Sequence, residues 1–113
     1  MKNSLIFVIL LVVSCSKKLP EISPDVITES TLHDTDDPAM WINPYDASNS
    51  IVFGTDNNTE GSLYGFDLDC KIFEDKTIIG FKRPNIVDLE YGFNLNDSTK
   101  TDVMIFTERE RQK

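Results

Sequence analysis

His33-Asp34-Thr35-Asp36-Asp37-Pro38-Ala39-Met40-Trp41 sets three carboxylates and the only histidine ahead of a proline and an apolar run ending on the only tryptophan. Ionised carboxylates offer oxygens and have nothing to donate. Crowded within four positions, they repel one another unless water or a cation intervenes. Hard cations such as calcium take oxygen ligands of this kind. The stretch reads either as a calcium-binding edge on a β structure or as an acidic turn before a strand, since Asp and Pro are common turn residues. In extended backbone successive side chains face opposite ways. Asp36 and Asp37 then point to different faces and can serve different ions. Pro38 biases Asp37 to the extended region, and its own carbonyl remains available as a ligand.

Working outward, Pro38 to Asn43 is rich in strand formers, and Asn43 to Asn49 is a turn-rich loop. Ser50 to Thr55 is a short β-branched and aromatic run, read as an inner strand. A second loop, Asp56 to Gly61, precedes Ser62 to Leu68, whose alternation predicts a half-buried strand. Asp69-Cys70-Lys71 makes a tight turn into Ile72-Phe73, and Lys76 to Gly80 continues the pattern. Asn85 to Phe93 and Asp102 to Thr107 give two more strands. Past the N-terminal apolar run, no segment keeps a helical period for three turns. Short strands with turn signals between them point to an all-β meander of sandwich, barrel or propeller type. The sequence stops at Arg109-Glu110-Arg111-Gln112-Lys113, directly after an apolar strand, which would leave an unpaired edge. That suggests a fragment or truncated reading frame of a larger β protein.

The 113 residues allow at most one small domain. Lys2, the apolar run Leu5 to Val13 and Ser14-Cys15 form a basic n-region and an h-region too short to span a membrane. Leu11-Val12-Val13-Ser14-Cys15 is similar to a bacterial lipoprotein signal, in which Cys15 is lipidated and becomes the mature N-terminus. The alternative is an uncleaved anchor or a buried hydrophobic N-terminus. This divides the chain into a signal (1–14), a tether (15–30) and a domain (31–113), with a lipid-anchored home in the cell envelope, on the outer membrane or in the periplasmic or extracellular space. Loss of the signal removes one lysine, leaving ten basic and 19 acidic residues and a formal charge of −9. Nucleic acid is an unfavourable partner for such a chain. An anionic substrate is repelled as well, unless bound metal reverses the local field. With Cys15 lipidated, Cys70 is the only thiol, which excludes an intrachain disulfide and a cysteine-based zinc site.

Several chemistries fail on their motifs. His33 lacks the Arg-His-Gly context of a phosphohistidine mechanism, and the arginine place after Cys70 in a cysteine phosphatase holds Lys76. There is no Gly-x-Ser-x-Gly and no P-loop. Counted from Asp34, the EF-hand glycine place holds Ala39 and the bidentate glutamate place Tyr45.

The acidic cluster survives, and its neighbours carry a resemblance. Asp36-Asp37-Pro38-Ala39-Met40-Trp41-Ile42-Asn43-Pro44 is similar to the first strand of β-propeller phytases, typically Asp-Asp-Pro-Ala-Ile-Trp and then Pro. Gly54-Thr55-Asp56 followed by Gly61 to Asp69 resembles the family's Gly-Thr-Asp-Lys, loop and Gly-Leu-x-x-Tyr-x-Leu strand. Arg83 to Phe93 resembles Arg-Pro-Asn-Asn-Val-Asp-Val-x-Tyr, and Asp102 to Arg109 a strand ending in Asn-Arg or Glu-Arg. The resemblance runs in order from about Thr31 to the C-terminus. It implies the N-terminal portion of a six-bladed propeller, about one blade plus part of another. It also implies 3-phytase-type, calcium-dependent hydrolysis of phytate (inositol hexakisphosphate) by a calcium-activated water. Residue by residue, Asp36 is implied to ligate the catalytic calcium. Asp37 through its carboxylate, with Pro38 and Val87 through carbonyls, is implied to hold a structural calcium. Arg109 is implied to contact a substrate phosphate, a task its planar fork suits; without the resemblance it reads as a solvated charge in a mixed run with Glu108, Glu110 and Arg111. Trp41 reads as core, and Asp88 either orients a loop or binds nothing. Asn57 stands where the resemblance implies a phosphate-contacting lysine, and Ile86 where it implies a second asparagine. The 113-residue chain alone is not expected to hydrolyse phytate. The rival expectation is a non-catalytic, calcium-stabilised β-propeller or β-sandwich lipoprotein used for binding.

Overall fold

The computed structural model describes residues 19–111, so the signal and Cys15 lie outside the described residues. The chain runs through β1 (Thr35–Trp41), β2 (Ile51–Asp56), β3 (Gly61–Phe66), β4 (Ile78–Phe81), β5 (Pro84–Asn96) and β6 (Thr99–Glu108). β1 to β4 form one antiparallel sheet in chain order, and β5 and β6 pair as a hairpin. Two single 3-10 turns, Ala47–Asn49 and Glu74–Lys76, interrupt the loops. Among the described residues no helix is long and apolar enough to cross a membrane.

β1 is an edge strand, which tolerates Pro38 because one side of it needs no ladder donors. Its inner side pairs Pro38 with Gly54, Ala39 with Phe53, Met40 with Val52 and Trp41 with Ile51. The next pair is Thr35 with Asp56, so β1 carries one residue more than β2 between these points, a bulge at Asp36–Asp37. Bulges bend a strand and re-aim its side chains. On the outer side the Tyr91 hydroxyl accepts the Ile42 N–H at 2.8 Å and donates to the Met40 carbonyl at 3.2 Å.

β3 corrects the expected half-buried strand: all six residues are buried. Leu63, Tyr64 and Phe66 supply most of the core together with Ile51 and Val87. The second face is covered by the segment around Glu74–Lys76. A Cβ on Gly65 would lie 2.8 Å from Lys76 Cβ, so only glycine lets that segment approach. Phe73 N–H donates to the Gly65 carbonyl at 2.7 Å, and Gly65 N–H donates to Thr77 Oγ1 at 3.2 Å. The Asp69-Cys70-Lys71 turn forms as expected, closed by Cys70 N–H to the Asp67 carbonyl and by Lys71 N–H to Asp67 Oδ1. Glu29, in the stretch read as tether, lies against this turn: its carboxylate accepts Ile72 N–H at 2.7 Å and faces Lys71 Nζ at 3.3 Å. Those two contacts, Ile72 first, hold its carboxyl below the ordinary glutamate value.

Trp41 is half-buried and does more than fill a core. Its indole N–H donates to Asp102 Oδ2 at 2.8 Å, linking the first sheet to β6. Gly92 N–H donates to the other oxygen of Asp102 at 2.9 Å. These bonds, the indole first, hold the Asp102 carboxyl below the ordinary aspartate value. Phe81 and Phe106 add an edge-to-face contact between β4 and β6, with centroids 4.5 Å apart.

Candidate functional site

The acidic strand is held by three consecutive residues of the end of β2 and its loop. Thr55 Oγ1 accepts the Asp37 N–H at 3.0 Å and donates to the Asp37 carbonyl at 3.4 Å. Asp56 is fully buried, and its carboxylate accepts His33 Nδ1–H at 2.8 Å and Asp34 N–H at 2.9 Å. Asn57 N–H donates to the Asp34 carbonyl at 2.8 Å, while its amide donates to Asp36 Oδ2 at 3.1 Å. A buried carboxylate is costly unless hydrogen-bonded, and both of Asp56's oxygens are.

Asp36 is exposed and Asp37 half-buried, and the two carboxylates part as expected, although the bulge between Thr35 and Pro38 interrupts the regular alternation there. Asp37 turns toward the second sheet, where its Oδ2 accepts Val87 N–H at 2.9 Å. Val87 is buried and stands opposite Phe106 in the β5–β6 ladder. In an antiparallel ladder a residue's N–H and C=O project to the same edge. The edge of β5 that meets Asp37 therefore carries the Val87 carbonyl too. Of Asp37, Pro38 and Val87, which the resemblance groups around one ion, Asp37 and Val87 meet across the two sheets, and Pro38 follows Asp37 in the chain. Carboxylate and carbonyl oxygens are the donors calcium prefers. Among the described residues no three His, Cys, Asp or Glu side chains converge on a metal position by themselves. Backbone carbonyls would have to complete any ion's shell at Asp37, and among the described residues no such side-chain cluster forms at Asp36.

Arg109 is exposed at the end of β6, and its backbone N–H donates to the Arg83 carbonyl at 3.0 Å. Arg83 takes the left-handed conformation, with φ 53°. A non-glycine residue there costs about 1 kcal/mol or more, and the following Pro84 makes helical backbone less favourable still. The position is held by Arg83 N–H to the Asn58 carbonyl at 2.8 Å and by the bond from Arg109. Its side chain reaches Asn57, with Nε donating to Oδ1 at 3.4 Å. Asp36, Asn57 and Arg83 are therefore linked side chain to side chain, while Arg109 joins them only through its backbone. Asp88 is exposed and accepts the Leu89 N–H at 2.8 Å.

Sequence reasoning did not find the His33–Asp56 pair, Arg83 or the Trp41–Asp102 bond. His33 and Asp56 stand 23 positions apart, and only their separate notice as a lone histidine and part of Gly-Thr-Asp gave any signal.

Strand order and site together define an all-β chain built as one four-stranded propeller blade and part of a second. The chain belongs to the phytase family, whose family model, described as Phytase, matches residues 13–113. No curated protein and no solved structure matches it.

Proposed function

We propose that the chain serves calcium-dependent hydrolysis of phosphate monoesters, with phytate as substrate and 3-phytase-type release of phosphate. The observation that carries this reading is the partition of the two carboxylates at the bulge: Asp37 bonded to Val87 across the sheets, Asp36 left at the exposed rim. Asp37, with the carbonyls of Pro38 and Val87, would hold a structural calcium that ties β1 to β5. Asp36 would ligate a second, catalytic calcium. Bound there, calcium lowers the pKa of a water for attack on phosphorus and offsets the charge of the substrate. Asn57 orients the Asp36 carboxylate through its amide. Arg109 offers a planar, permanently charged fork to a phosphate oxygen. The formal charge of −8 disfavours the approach of a polyanion, which a bound cation would offset. Lipid on Cys15 would keep the activity at the cell envelope of a bacterium.

The test separates the two carboxylates. Calcium is titrated into the chain while its melting temperature is followed, and binding of phytate is then measured in calcium and in a chelator. Asp37→Asn is expected to abolish the calcium-induced rise in melting temperature. Asp36→Asn is expected to keep most of that rise and lose calcium-dependent phytate binding. A chain that binds phytate equally well in chelator would overturn the reading.

A further inference from the structure

We propose that residues 29–34 form a strap along the first sheet, with Glu29 as its clasp, and that the strap makes the preceding chain leave the domain at the end of the sheet opposite Asp36. The inference concerns the path of the chain and needs neither a metal nor a lipid.

The strand register defines the two ends. Thr35 stands opposite Asp56 and Trp41 opposite Ile51, while Thr55 stands opposite Leu63 and Val52 opposite Phe66. The acidic strand therefore starts where β2 finishes, and the turn at 67–72 follows Phe66 at the other end, with Ile72 bridged back to Phe66. From Leu63 to Phe66 alone the sheet runs about 10 Å. The strap is moored at both ends of that span. At the upper end His33 Nδ1–H and Asp34 N–H donate to the buried carboxylate of Asp56. At the lower end Glu29 meets the turn. The chain from Glu29 to His33 reaches about 14 Å at full stretch, enough to cover the distance. Between the moorings Leu32 borders a shallow cleft with Ser62, Ile79 and Phe81, and the Thr31 and Thr35 hydroxyls meet at 2.8 Å.

The clasp uses backbone and side chain together. Glu29 N–H donates to the Cys70 carbonyl at 2.9 Å, and Glu29 Oε2 accepts Ile72 N–H at 2.7 Å. Lys71 Nζ lies 3.3 Å from Oε1, but the two side chains are 63% and 43% exposed, and such an ion pair is weak. The two bonds to the turn's backbone therefore set the position. The turn closes on bonds of its own, Asp67 N–H to the Lys71 carbonyl at 3.0 Å and Cys70 N–H to the Asp67 carbonyl at 3.1 Å. That leaves the Cys70 carbonyl and Ile72 N–H for one residue, Glu29. A lipid on Cys15, proposed above, would then draw the turn end of the sheet toward the membrane and leave Asp36 at the far end; this consequence alone rests on the lipid.

The experiment uses the full chain. A zero-length carbodiimide, which joins a carboxylate to an amine already in contact, is applied and the product is mapped by peptide mass spectrometry. A Glu29–Lys71 link within one chain is expected, its yield unchanged on dilution. Amide hydrogen exchange then reads the clasp itself. Glu29→Ala should lose protection at Ile72 and keep it at Phe73, whose N–H donates to the Gly65 carbonyl inside the domain. Lys71→Gln should keep the Ile72 protection, and Asp25→Ala, which removes an exposed carboxylate from the same stretch, should match the parent. Absence of the Glu29–Lys71 link, or equal exchange at Ile72 in parent and Glu29→Ala, would overturn the proposal. Loss of protection at Phe73 together with Ile72 would overturn it too, because Glu29 would then be supporting the turn instead of fastening the strap to it.

Discussion

Asp56→Ala is the sharpest test of how the acidic strand is held. The carboxylate is fully buried and accepts two hydrogen bonds, from His33 Nδ1–H and from Asp34 N–H. Alanine removes both. Each bond to a charged acceptor is worth about 1.5 kcal/mol at the low end, so the pair amounts to about 3 kcal/mol. For a domain of this size that corresponds to a fall in melting temperature of about 12–24 °C. Asp56→Asn keeps one acceptor oxygen of the same shape and should lose only about 1 kcal/mol. The assay is thermal unfolding followed by far-UV circular dichroism and by Trp41 fluorescence. His33→Gln and the double variant complete a cycle that isolates the side-chain pair from the backbone bond. A positive coupling between positions 33 and 56 is expected. If Asp56→Ala melts within about 3 °C of the parent, the buried carboxylate is not what fastens residues 33 and 34 to β2, and the reasoning fails.

Two further outcomes follow from close packing and from pH. Gly61→Ala places a Cβ against the Asp56 carbonyl, 2.5 Å from Pro84 Cδ and 2.7 Å from the Asn58 carbonyl, and two of these neighbours are backbone. Such overpacking should cost about 3 kcal/mol, read as a lower urea midpoint at unchanged slope. Trp41→Phe should alter the acid limb of stability. The Asp102 carboxyl is held below its ordinary 3.8, first by the indole and then by Gly92 N–H. The unfolded chain therefore binds the proton more readily, and stability rises with pH across that window. The contribution is complete above about pH 4 and is lost as pH falls through the lowered folded value. The gap in stability between parent and Trp41→Phe should shrink below about pH 4, as followed by circular dichroism; a gap constant down to pH 2 contradicts it.

Period-two patterning and turn residues were enough to place β2 and β3 within a residue or two, because those signals are local, whereas β1 begins three residues before the expected Pro38. They also separated Asp36 from Asp37. The burial of β3 was not legible, because its second face is covered by Phe73 to Thr77, and that approach depends on the missing side chain of Gly65. Trp41 is a polar link between sheets for the same kind of reason: its partner Asp102 is 61 positions away. At the site, the carboxylates of β1 were readable from their chemistry, and the residues that hold them were not. Asp56 looks like one more loop carboxylate until the fold buries it. Arg83 looks like one surface cation among several until its backbone is seen to turn left-handed beside Asn57.

The Tyr91 hydroxyl on the outer side of β1 has a consequence for solubility. An edge strand with free N–H and C=O groups is a template on which a second chain can add a strand. At Met40–Ile42 one hydroxyl occupies both the carbonyl and the N–H that such a strand would need. Two positions earlier, Pro38 has no N–H to offer at all. From Pro38 to Ile42 the outer side of the strand is thus a poor template for self-association.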